Sequence, residues 1–87
     1  MSLNEASVSL IADGKNFELL SAEGGTSFIL RSKADFYTAH LRGEDATRFR
    51  TDYETVQKQF PGWQSDETLA QLWDQGGYSW LAAQEAD

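Results

Sequence analysis

Eighty-seven residues make one small domain, since a second would need roughly 100 to 150 residues of its own. A composition 40% hydrophobic and 13% aromatic is globular, and the absence of cysteine excludes a disulfide scaffold, a zinc–thiolate site, an iron–sulfur cluster and a thiol nucleophile. Fourteen acidic against seven basic residues give a net charge of −7, which disfavours direct nucleic-acid binding because phosphate contacts need a cationic surface.

The chain reads as strand first and helix afterwards, with the change near Ser32. Val8 to Ala12 is β-prone and runs into Asp13-Gly14, a hairpin signal of the type I′ turn, which needs positive φ at both positions. A two-residue loop pairs Ala12 with Lys15 and so sets Leu10 opposite Phe17 and Val8 opposite Leu19 on one apolar face. Ser9, Glu18, Ile11 and Leu20 then fall on the other, wet face. Glu23-Gly24-Gly25 reads as a second turn and Thr26 to Arg31 as a third strand. A small sheet with one apolar face needs a cover.

Residues 32 to 87 supply it. Ser32 is expected to cap a short helix holding Ala34, Phe36, Tyr37 and Leu41, with Gly43 as its stop. Ala46, Phe49, Tyr53, Val56 and Phe60 recur at three- and four-residue intervals, and at ~100° per residue they form one narrow apolar stripe. Charges at four-residue spacing flank it: Glu44, Arg48 and Asp52 on one side, Arg50, Glu54 and Lys58 on the other. Pro61-Gly62 ends this helix. Ser65 is the expected cap of the next, with Asp66 and Glu67 favoured by the dipole in its first turn and Leu69, Leu72 and Trp73 buried. Gly76-Gly77 favours a break there, because each glycine costs ~1 kcal/mol relative to alanine inside a helix. The expected fold is therefore α+β in a single domain over 1–87. A three-stranded antiparallel meander (about 7–31) is covered on one face by three or four short helices (32–87).

Chemistry is sparse. His40 is the only histidine, and no carboxylate or serine stands at a helpful interval from it, so the helix-surface reading outweighs a general base. Glu44-Asp45 and Asp66-Glu67 are adjacent pairs that diverge by ~100° on a helix and do not converge on a metal. No phosphate loop, dinucleotide fingerprint or nucleophile elbow is present, so no catalytic residue, cofactor or metal ligand is assigned and no enzymatic activity is expected. Arg42, Arg48 and Arg50 raise an RNA or anion site, but Arg48 and Arg50 lie ~200° apart around a helix and have acids four residues away.

Two features point to a partner. All three tryptophans, Trp63, Trp73 and Trp80, lie in the last third, where Asp66, Glu67, Asp74, Glu85 and Asp87 stand without one Lys or Arg. Trp73 belongs to the core, whereas Trp63 after Pro-Gly and Trp80 after Gly-Gly are expected to be half exposed, as interface tryptophans are. Asp74, Glu85 and Asp87 lie near helix ends that disfavour negative charge, so helix stability does not account for them. The expectation is a small acidic accessory or regulatory subunit that meets a protein with a basic surface through Trp63, Tyr78, Trp80, Asp74 and Glu85. Mimicry of nucleic acid, a ligand or catalytic site around His40, and homodimerisation through the uncovered sheet face or the last helix are its rivals. No run approaches the ~18 apolar residues of a membrane span and Met1 to Ser9 lacks the pattern of a secretory signal, so a soluble cytoplasmic chain with no membrane partner is expected.

Overall fold

The structure, a computed structural model, describes residues 8–86. Four strands, β1 (Ser9–Asp13), β2 (Phe17–Ala22), β3 (Ser27–Ser32) and β4 (Tyr37–Leu41), form one antiparallel sheet in sequence order. Three helices follow, α1 (Glu44–Gln59), α2 (Ser65–Gln75) and α3 (Tyr78–Ala86). They pack on one face of the sheet, which makes the α+β class and the one-sided cover as expected.

The fourth strand replaces the expected short helix. The Ser32 hydroxyl accepts the Asp35 N–H at 3.3 Å, as a cap would, but it closes a tight turn and not a helix. Phe36 ends that turn at φ 60°, and β4 then pairs with β3 from Tyr37 to Leu41. Ala39 and Leu41 are fully buried, while His40 between them is exposed, a period of two. Ala34, Phe36 and Tyr37, placed in the core by helical spacing, are exposed. Long-range pairing with β3 outweighed the local pattern.

The first hairpin also departs from its expected register. Asp13 pairs with Glu18 and Ala12 with Leu19, and a bulge at Ile11 then sets Leu10 opposite Leu20 and Ser9 opposite Ser21. The extra residue inverts the faces, so Leu10 leaves the core side, is 57% exposed, and lines up with Leu20 and Ile29 on the open face. The loop is longer than two residues because it wraps a carboxylate. Asp66, in the first turn of α2, accepts the N–H groups of Lys15 (2.9 Å), Asn16 (3.1 Å) and Phe17 (3.1 Å). Gly14 is required here for its missing side chain and not for a positive φ. A Cβ on it would stand 2.0 Å from Asp66 Oδ1.

Most of the stripe expected on α1 turns inward, but Tyr53 is half-buried and the last member, Phe60, caps the helix end before Pro61 and is 39% exposed. Ala46, Phe49 and Val56 of α1 are buried with Leu69, Leu72 and Trp73 of α2, against Leu19, Phe28, Leu30, Ala39 and Leu41 of the sheet. Glu67 accepts the Gln64 N–H at 3.1 Å, which places the cap of α2 one residue before Ser65. The chain breaks between Gln75 and Tyr78 as expected, with Gly77 at φ 80°. Gly76 packs so closely that a Cβ would lie 2.6 Å from the Leu72 carbonyl and 2.8 Å from the Tyr78 ring. Of the four-spaced charges on α1, Arg48 reaches Asp52 only at 3.9 Å, and no Arg50–Glu54 or Glu54–Lys58 pair forms among the described residues.

Candidate functional site

The break at Gly76-Gly77 decides where the last aromatic residues go. Tyr78, expected on a contact surface, is fully buried: its ring meets Phe49 edge-on at 5.1 Å, its hydroxyl donates to Asp52 at 3.0 Å, and Arg48 Nε donates to that hydroxyl at 3.3 Å. It is a core residue. Trp80, two positions on, turns outward with 65% of its surface exposed. Trp63 is half-buried and stacked on Phe60 at 4.0 Å, with an interplanar angle of 6°, beside a small pocket of about 200 Å³ that Tyr53 and Pro61 help to line. Trp73 lies in the core, tilted against Phe17 at 5.7 Å.

The acidic residues separate by what holds them. Glu85 accepts the backbone N–H of His40 at 2.7 Å and meets its Nδ1 at 2.6 Å, tying the end of α3 to the outer edge of β4. This contact covers a strand edge that would otherwise offer its N–H to another chain, so stability does account for Glu85. It also supplies the carboxylate neighbour that sequence spacing denied His40. Asp66 and Glu67 serve the β1–β2 loop and the α2 cap. Asp74 is exposed and has no hydrogen bond or ion pair among the described residues; Asp87 lies outside them. Three of the four described acids in this third therefore carry internal contacts. No group of three metal-ligating side chains gathers among the described residues, and no described helix is long and apolar enough to cross a membrane.

Two features escaped sequence reasoning. Phe36 is 88% exposed at φ 60°, a backbone conformation that a bulky residue adopts only under strain. The second is a groove of about 970 Å³ between β3 and the first half of α1, lined by Arg42, Arg48 and Arg50 together with Phe28. Arg50 lies over the Phe28 ring at 5.6 Å and donates to the Gly25 carbonyl, while Arg48 lies over the Tyr78 ring at 4.9 Å and donates to the Gly76 carbonyl at 3.2 Å. Three arginines in nine residues were the available signal. Helical angle alone set two of them apart, because it takes no account of long side chains bending toward distant carbonyls.

Burial pushes the Tyr78 phenol above its ordinary value; its hydrogen bond to Asp52 adds to the shift and Arg48 opposes it, while burial alone raises Tyr53. Both groups hold their protons more tightly folded than unfolded. Their contribution is fully present below the unfolded value near 10 and is lost as pH rises through the folded values. The urea midpoint is expected to fall above about pH 10, and Tyr53→Phe with Tyr78→Phe to flatten that fall. An equally steep decline in the double variant would remove these phenols as its cause.

No family model matches the chain, and neither curated proteins nor solved structures give a match.

Proposed function

We propose that the chain is a small binding module without catalytic activity, an accessory or regulatory subunit that holds a protein partner through the outer face of α3. The observation that carries this reading is Trp80. The residue is 65% exposed on a helix whose opposite side, Tyr78 and Ala82, is buried against the core. An indole in water forfeits the burial of one of the largest apolar side chains, and tryptophan is enriched where partners bury such rings. Asp74 adds an uncommitted negative charge at the end of α2, suited to a basic rim on the partner. Mimicry of nucleic acid has less support, because Asp66, Glu67 and Glu85 are engaged within the fold.

Affinity purification from native lysate at low and high salt, with wild-type and Trp80→Ala proteins as bait, tests the reading. A stoichiometric protein partner is expected that survives high salt on the wild type and falls by tenfold or more on Trp80→Ala, a change of about 1.4 kcal/mol or more. A partner retained equally by both baits, with the variant still folded by circular dichroism, removes it.

A further inference from the structure

We propose that the groove between β3 and α1 is a second binding site, independent of Trp80, and that it takes an acidic peptide segment on Arg42, Arg48 and Arg50. Three of the chain's seven basic residues line this one groove although the protein carries a net charge of −7. Apart from the loose Arg48–Asp52 pair at 3.9 Å, what fixes Arg48 and Arg50 is neutral. Arg50 is held by the Gly25 carbonyl and the Phe28 ring, and Arg48 by the Gly76 carbonyl and the Tyr78 hydroxyl and ring. A guanidinium positioned by carbonyls and rings keeps its charge and its remaining N–H donors for another anion. Asp52 is the nearest carboxylate to Arg48, at 3.9 Å, and it already accepts the Tyr78 hydroxyl. Arg42 and Arg50 form no ion pair among the described residues, and Arg42 has no side-chain hydrogen bond there either.

The chemistry of the groove favours carboxylates on a short peptide over a nucleic acid. The guanidinium fork matches a carboxylate with two parallel hydrogen bonds. Its cationic character is local, three guanidiniums against the carboxylates of Glu44 and Asp52, so a phosphate strand running beyond the groove would meet the acidic remainder of the surface. A segment whose carboxylates are spaced by small apolar residues satisfies both the arginines and the apolar floor of Phe28 and Ala46. Because Arg48 and Arg50 are already ordered in the free protein, less side-chain entropy is lost on binding.

Fluorescence anisotropy with a labelled glutamate–alanine peptide, its glutamine–alanine counterpart and a single-stranded RNA oligonucleotide tests the site. The glutamate peptide is expected to bind, the glutamine peptide to bind at least about tenfold more weakly, and binding to weaken with salt. Arg42→Gln, at an exposed side chain without internal partners, is expected to lower the affinity about fivefold to tenfold with an unchanged melting temperature. Arg50→Lys keeps the charge but not the fork and is expected to lose a similar factor. Trp80→Ala leaves this affinity unchanged, so failure here is separable from failure at α3. No binding of the glutamate peptide, equal binding of the glutamine peptide, tighter binding of the RNA, or an affinity indifferent to Arg42→Gln overturns the assignment.

Discussion

Replacing Asp66 with alanine is expected to cost about 2 to 3 kcal/mol, more than its place in the first turn of α2 would suggest. Its carboxylate accepts three successive backbone N–H groups, those of Lys15, Asn16 and Phe17. One hydrogen bond to a charged group is worth ~1.5 to 3 kcal/mol, and water recovers part of the loss at this partly exposed loop. At roughly 4 to 8 °C per kcal/mol for a domain of this size, the melting temperature should fall by about 10 to 20 °C. Asp66→Asn keeps one acceptor oxygen and is expected to fall between the two. Gly14→Ala reaches the same bonds from the other side, since its Cβ would stand 2.0 Å from Asp66 Oδ1 and 2.4 Å from Cγ. Combined with Asp66→Ala, Gly14→Ala should add almost nothing, and that coupling is the diagnostic part. Thermal denaturation of the four proteins decides it: additive costs would mean that the loop is held by something other than the carboxylate.

Phe49→Ala is expected to have the largest effect, about 3 to 5 kcal/mol. Phe49 is fully buried where the sheet and two helices meet, with Phe28 at 5.3 Å, Tyr53 stacked at 5.9 Å and Tyr78 edge-on at 5.1 Å. Removing the ring opens a cavity that three rigid aromatic neighbours fill poorly, and the loss is a large share of the ~4 to 13 kcal/mol that a domain of this length commands. Phe49→Leu keeps most of the volume and should cost less than about 1.5 kcal/mol. Urea denaturation with a common slope measures both. An alanine variant within about 1 kcal/mol of the parent would contradict this account of the core.

The candidate sites were legible in the chain to different degrees. Trp80 was readable because a Gly-Gly break resets the facing of whatever follows, yet the same reasoning exposed Tyr78, which the structure buries fully. Nothing local distinguishes positions 78 and 80. Their difference arises from where α3 docks, with Arg48 and Asp52 waiting for the Tyr78 hydroxyl 26 to 30 residues away. The groove was half legible, as three arginines in nine residues, and its convergence needed the Gly25 and Gly76 carbonyls brought in from the β2–β3 turn and the C-cap of α2.

The fold divides along the same line. Residues 44–59 and 65–75 declare themselves helices because a period near 3.6, Pro61 and the glycine pair are properties of adjacent residues and act before any tertiary contact exists. The inward stripe of α1 follows from that period alone. Residues 33–41 and 9–17 do not declare themselves, since their outcome rests on bonds closed at long range. β4 exists because β3 offers it a ladder, and the β1–β2 loop has its length because Asp66 arrives from some 50 residues away with a carboxylate for its N–H groups. Local periodicity fixed the helices, and the pairing of backbone polar groups across the chain decided the sheet, the loop and both candidate sites.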